Sequence, residues 1–225
     1  MQINGGASIM LKKIRWILYA VIIVALAVYG WNYFMYQKQA QAATKYKKDL
    51  YITNINPPQQ APGFTLTGER GNKVSLSQFK GKKVLLQFMD PKCTDICPLI
   101  SQEIIEANHL LGSKSKNVVY IGINVNEYHN KVSDLKGFSN KHGLSKLKNW
   151  YFLTGSPEQL KKVWKNYGIE VTPSKTGDVQ HTSAVFFIDP AGKETYLGHP
   201  QNNKTSVQEW AHGMSFFTQR LPNPS

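Results

Sequence analysis

The chain contains two cysteines, Cys93 and Cys97, and their spacing is its first chemical feature. They lie in Met89-Asp90-Pro91-Lys92-Cys93-Thr94-Asp95-Ile96-Cys97-Pro98, between an apolar run and a helical pattern. A C-x-x-x-C spacing sets two sulfurs about one helical turn apart, on the same side of the chain. Pro98 suits the first position of a helix, where a missing N–H costs nothing. Helix N-termini carry partial positive charge, so a thiol placed there loses its proton more readily. A disulfide across so small a ring constrains the unfolded chain by only roughly 2 kcal/mol, less than one closing a longer loop. The spacing therefore points to redox or metal chemistry rather than to a structural staple.

Two thiolates on one side invite a soft metal, and a third donor completes a trigonal set. Copper fits best, because thiolate selects Cu(I) and two Cys with one His also accommodate Cu(II). Closed structural zinc sites take four protein ligands, and no second cysteine pair is present to supply them. His181 is the candidate third ligand: it stands at the entry to an apolar strand, Thr182–Ile188, whose start belongs at the same sheet edge as the cysteine loop. His109, His142 and His212 fall in predicted helices, and His129 and His199 in polar loops. Met89 and Met214 offer thioether sulfur, but both sit in core-like runs. The same cysteines also serve thiol–disulfide exchange, with Cys93 attacking and Cys97 resolving. A peroxidase needs an activated Cys close to an Arg, and the Cys93 loop has none.

The surrounding pattern supplies the elements that must hold these groups. Gly63–Leu66 and Lys73–Leu76 alternate about a Gly-rich turn and read as a β-hairpin. Lys83–Met89 and Asn117–Asn124 are buried strands, and Trp150–Leu153 is a shorter one. Pro98–Leu111, Asp134–His142 and Pro157–Tyr167 carry helical spacing, the last capped by Ser156 with Pro157 at its first position. Thr182–Ile188 ends in the turn Asp189-Pro190-Ala191-Gly192. A final helix over Ser206–Leu221 turns Val207, Trp210, Met214 and Phe217 inward. Strands alternating with helices predict an α/β fold, with helices on both faces of one central mixed sheet.

The N-terminus is of another kind. Trp16 to Tyr36 runs 21 residues without a charge, about 31 Å as a helix, which matches a bilayer core. Lys12, Lys13 and Arg15 precede it, so the positive-inside rule leaves residues 1–15 in the cytoplasm and the rest of the chain outside. Ala40-Gln41-Ala42 is a passable cleavage site, but the apolar stretch exceeds a usual signal h-region, which favours an uncleaved anchor. Residues 37–60, rich in Gln, Ala, Lys and Asn, read as a linker, and residues 61–225 as the folded domain. The 225 residues carry a net charge of +13, from 27 Lys and Arg against 14 Asp and Glu. These basic residues are scattered, and no nucleic-acid-binding signature appears. The surface suits anionic lipid or an acidic partner rather than nucleic acid.

Cys93-Thr94-Asp95-Ile96-Cys97-Pro98 followed by a helix, with His181-Thr182 opening a strand 84 residues after Cys97, resembles the Sco (SenC) family of copper proteins. The resemblance covers roughly residues 61–221. It implies a thioredoxin-like fold behind a single membrane helix, with Cys93, Cys97 and His181 as copper ligands. It also implies delivery of copper to the binuclear copper A centre of cytochrome c oxidase, through subunit II or another cuproprotein, with a thiol reductant keeping the cysteines reduced. Such a protein is a metallochaperone with possible thiol–disulfide reductase activity, held in a bacterial cell membrane with its domain extracytoplasmic. Ordinary thioredoxin-like reductases use C-x-x-C and a cis-Pro before the equivalent strand, and no Pro lies between His181 and Ile188. The chain departs from the family pattern at Gln180, where an Asp is frequent, and at Asn124-Val125-Asn126-Glu127, where an Asp-Pro segment is frequent. Asp90-Pro91-Lys92 is also unusual.

Overall fold

The computed structural model describes residues 5–200 and 205–223. The first four residues of the expected cytoplasmic segment, and residues 201–204 and 224–225 of the expected domain, lie outside the described residues. The chain divides into two compact units, Met1–Lys45 and Tyr46–Ser225.

Residues 5–45 of the first unit lie within one long helix, α1, Gly5–Asp49. From Met10 onward it is long and apolar enough to cross a membrane, and Trp16, Ile17, Ile23, Leu26 and Trp31 are all exposed. Bilayer contact would bury such side chains without any protein partner.

The second unit is built on an eight-stranded mixed sheet. In chain order its strands are β1 (Thr53–Gln60), β2 (Thr65–Gly68), β3 (Lys73–Ser75), β4 (Lys83–Met89), β5 (Val118–Asn124) and β6 (Trp150–Thr154), joined by β9 (Val185–Ile188) and β10 (Lys193–Gly198). A two-stranded ribbon, β7 (Val171–Thr172) with β8 (Gln180–His181), stands apart from it. The sheet order is β1-β10-β9-β4-β5-β6-β2-β3. β4, β5 and β6 run parallel at its centre, and the flanking pairs are antiparallel. Helices α2 (Ile96–Leu111), α3 (Val132–Lys141) and α5 (Val207–Arg220) pack with Leu85, Met89 and Tyr120 on one face, whereas α4 (Pro157–Asn166) packs with Val84, Leu86 and Phe88 on the other. The period-2 alternation of β4 thus feeds two separate cores. The expected hairpin is β2–β3, and Ser156 caps α4 in a full capping box with Pro157 behind it.

Three sequence expectations change. Residues 53–60, read as linker, form edge strand β1 on β10, with a register irregularity between Asn54 and Gln59. Its side chains are almost all exposed, so no apolar alternation marks it, and an edge tolerates the prolines that a central strand rejects. The folded unit therefore begins at Tyr46 rather than near Ala61. Leu50 and Ile52 are buried in it, and Tyr46 packs on Phe216 with ring centroids 5.2 Å apart. Second, α2 starts at Ile96, one residue before the second cysteine, so Pro98 is not its first residue, and Leu99 is exposed. Third, the strand expected from Thr182 begins at Val185, and His181 belongs to the β7–β8 ribbon.

Candidate metal centre

The cysteine loop leaves the C-terminal end of β4 and enters α2. Asp90 shapes it: the Lys92 amide donates to Asp90 Oδ1 at 2.8 Å, and the Cys93 amide donates to the Asp90 carbonyl at 3.2 Å. This is an Asp side chain ordering the turn that follows it. Cys97 occupies the second position of α2, is fully buried, and donates its amide to Cys93 Sγ at 3.3 Å. Asp95, the residue before the helix, makes no side-chain cap. The Cys93 sulfur sits at the helix start instead, accepting from the Cys97 amide and lying near those of Asp95 and Ile96, which help to hold its negative charge. Such amides are the unsatisfied donors of a helix start.

These contacts separate the two thiols. The Cys97 thiol, and then the helix-start amides, outweigh burial and lower the Cys93 pKa to about 6. Cys97 moves the other way: its hydrogen bond to Cys93, its burial and the charge on Cys93 raise it well above an ordinary thiol. At neutral pH the pair is one half-exposed thiolate beside one buried thiol. A helix-start effect on the thiols was legible in the sequence. The larger effect, that of the Cys97 thiol on Cys93, comes from the approach of the two side chains in the fold.

His181 is half-buried on β8, and its Nδ1 lies 3.0 Å from the Thr182 carbonyl oxygen. A carbonyl only accepts, so Nδ1 carries the proton and Nε2 keeps a free lone pair, as second-shell carbonyls arrange for metal-binding imidazoles. Burial lowers the His181 pKa, against smaller upward effects of the Thr182 carbonyl and the Asp90 charge.

Asp90 links the two halves of the site. It is 1 % exposed, and its Oδ2 accepts from the Val179 amide at 3.3 Å, two residues before His181. Its Oδ1 also accepts from Asn126 Nδ2 at 3.0 Å. Asn126 in turn bonds Asn124, whose Nδ2 reaches Thr154 Oγ1 at 3.3 Å. A buried polar network thus runs across the ends of β4, β5 and β6 beneath the cysteine loop. Asn124 and Asn126 stand at the sequence departure noted above. Their organising role was invisible in the sequence, although an Asp between an apolar strand and a cysteine loop is its signal.

The fold brings Cys93 and Cys97 into contact and ties the His181 segment to them through Asp90. It does not gather all three: among the described residues, no three His, Cys, Asp or Glu side chains converge closely enough to hold a metal ion. His142 packs on Phe138, His109 faces Glu106 and His199 meets the Ser183 carbonyl. Met89 and Met214 are fully buried.

The SCO1/SenC family model matches residues 53–214. The SCO1 protein homolog of Bacillus subtilis is 30 % identical over 133 residues, covering 58 % of this chain and 68 % of that protein. Protein sco1 of Schizosaccharomyces pombe is 26 % identical over 180 residues, covering 76 % and 67 %. The structure of Bradyrhizobium japonicum ScoI with copper bound superposes with a TM-score of 0.57 at 26 % identity, covering 72 % of this chain and 99 % of that one.

Proposed function

The chain belongs to the SCO1/SenC family, and from that premise we propose that Cys93, Cys97 and His181 bind copper for delivery to a cuproprotein. The destination we assign is the binuclear copper A centre of cytochrome c oxidase. The observation that carries the proposal is the cysteine pair: a Cys93 thiolate formed at about pH 6, whose sulfur accepts from the Cys97 backbone amide at 3.3 Å. The donor chemistry fits copper, since thiolate is the soft ligand that Cu(I) prefers and imidazole suits either oxidation state. Copper binding at a related Bradyrhizobium japonicum protein supports the same assignment.

In this reading copper is cargo. Cys93 meets it first, because Cys93 is already ionised and half-exposed. Cys97 then gives up its proton, so loading releases protons. His181 completes the set from Nε2. Its ribbon is tied to the cysteine loop by the hydrogen bond from the Val179 amide to Asp90, while Thr182 and Glu170 bond each other within the ribbon. Residues 175–178 of the connecting loop are exposed, whereas Val179 is anchored in the core, so closing His181 onto the sulfurs calls for movement of the loop and of His181 rather than of Val179. Release follows by stepwise replacement of these ligands by those of the acceptor. Residues 16–36 of α1 serve as the membrane anchor, with the Lys12, Lys13 and Arg15 end cytoplasmic and the domain on the outer side.

A second reading, thiol–disulfide exchange, is favoured by the same asymmetry. An accessible acidic thiol beside a buried thiol of high pKa is the arrangement of an attacking and a resolving cysteine. The experiment that separates the readings is copper titration of the reduced full chain in detergent, followed by thiolate-to-Cu(II) charge-transfer absorption, because only the first reading needs His181.

A further inference from the structure

At the end of the sheet opposite the cysteines, a cavity of about 300 Å³ is lined by Lys83 at the start of β4, Val118 at the start of β5, Lys114, Asn117, and Thr218 and Gln219 in the last turn of α5. Lys83 is only 8 % exposed. Among the described residues its Nζ makes one hydrogen bond, to the Gln219 carbonyl at 3.5 Å, at the limit of such a bond. Lys114 reaches the Gln219 side-chain oxygen at 2.6 Å. Among the described residues no carboxylate pairs with either ammonium, since the ion pairs lie at Lys92, His109 and Lys161. Burial and the Lys114 charge both disfavour the charged form of Lys83. In the same wall, Thr218 is 1 % exposed and its Oγ1 has no hydrogen-bond partner among the described residues.

Buried ammonium and hydroxyl groups left unpaired are costly, and native structures rarely leave them so. Capping of the α5 C-terminus explains one cation near Gln219, but not two cations and an orphaned hydroxyl around one cavity. All three groups donate hydrogen bonds, and two carry positive charge. We propose that this cavity binds a phosphate-bearing anion, held by Lys83 and Lys114 with Thr218 as a further donor. The volume leaves room for a substituent on the phosphate. Two sources share this chemistry, a phospholipid headgroup and free phosphate.

The test uses the full chain in an uncharged detergent, titrated with inorganic phosphate at constant ionic strength and followed by calorimetry. Saturable one-to-one binding is expected, weakened at least tenfold in Lys114→Gln and in Thr218→Val. Lys114 is exposed, so its substitution leaves the core intact. Thr218→Val without phosphate should melt at or above the wild-type temperature, because it removes an unsatisfied buried group, while gaining less protection from added phosphate. Repeating the titration in phosphatidylglycerol and phosphatidylcholine nanodiscs separates the sources. A tenfold loss of phosphate affinity in the anionic discs alone assigns the cavity to a headgroup, and equal affinity in both assigns it to the free anion. Binding that does not saturate, or is the same in both variants as in the wild type, overturns the proposal.

Discussion

The Val179 amide donates to the Asp90 carboxylate at 3.3 Å, so one buried side chain ties the segment carrying His181 to the loop carrying Cys93. Asp90 accepts from the amides of Lys92 and Val179 and from Asn126 Nδ2, using both oxygens. Asp90→Asn replaces one acceptor oxygen with a donor and leaves at least one of these groups unpaired. It should cost about 1–3 kcal/mol of stability in urea unfolding. It should also weaken copper binding by about tenfold, since disturbed outer-shell partners typically cost 10–100-fold. Wild-type copper affinity in Asp90→Asn would remove Asp90 from the account.

The thiol asymmetry has its own readout. Cys93 is lowered to about 6, so its thiolate forms as pH rises through 6, whereas Cys97 stays protonated and buried. Iodoacetamide labelling of the reduced chain, resolved by peptide mass spectrometry, should show Cys93 half-maximal near pH 6 and Cys97 largely protected. Cys97→Ala removes the largest cause of the lowering, so it should move the Cys93 midpoint upward. An unmoved midpoint would assign the acidity to the helix start alone.

Buried carboxyls make a third prediction. Glu103 is 7 % exposed, and burial raises its pKa to about 8 from 4.5. A raised acid binds its proton more tightly when folded. Its effect is therefore absent below pH 4.5, and it removes stability progressively as pH rises towards 8. Cys93 titrates in part of that range with the opposite sign, so the informative quantity is the difference between wild type and Glu103→Gln. The variant should gain on the wild type between pH 5 and 8 by about 2–4 kcal/mol, given about 1.4 kcal/mol per pK unit. Parallel stability curves would show that Glu103 finds a partner or water.

The boundary of the folded unit is also testable. A Cβ on Gly213 would overlap Leu50 Cδ1, although Leu50 lies in the segment read from sequence as linker. Gly213→Ala should lower stability by about 1–3 kcal/mol, the usual cost of overpacking. Leu50→Ala/Gly213→Ala should recover part of that loss, because the two sites are in contact. No coupling between them would return residues 46–52 to a spacer.

What the sequence disclosed follows from which residues carry a pattern. Strong apolar periods marked β4, β5, α2, α4 and α5, and the C-x-x-x-C spacing marked the thiols. β1 was hidden, because it is held at an exposed edge by backbone pairing at Thr53, Asn54, Gln59 and Gln60 and shows no apolar face. The two-residue β8 strand was too short to carry a period, so His181 was assigned to the longer strand that follows. The role of Asp90 depends on residues 36 and 89 positions away, Asn126 and Val179. No local pattern encodes contacts at that range.

The central claim is that Cys93, Cys97 and His181 act as one copper site, and the most direct test is copper titration of the reduced full chain beside His181→Ala. The account predicts tight one-to-one binding, with thiolate-to-Cu(II) charge-transfer absorption that weakens markedly in His181→Ala. Binding and absorption indifferent to His181, or no binding at all, would contradict it and leave the cysteine pair to thiol–disulfide exchange.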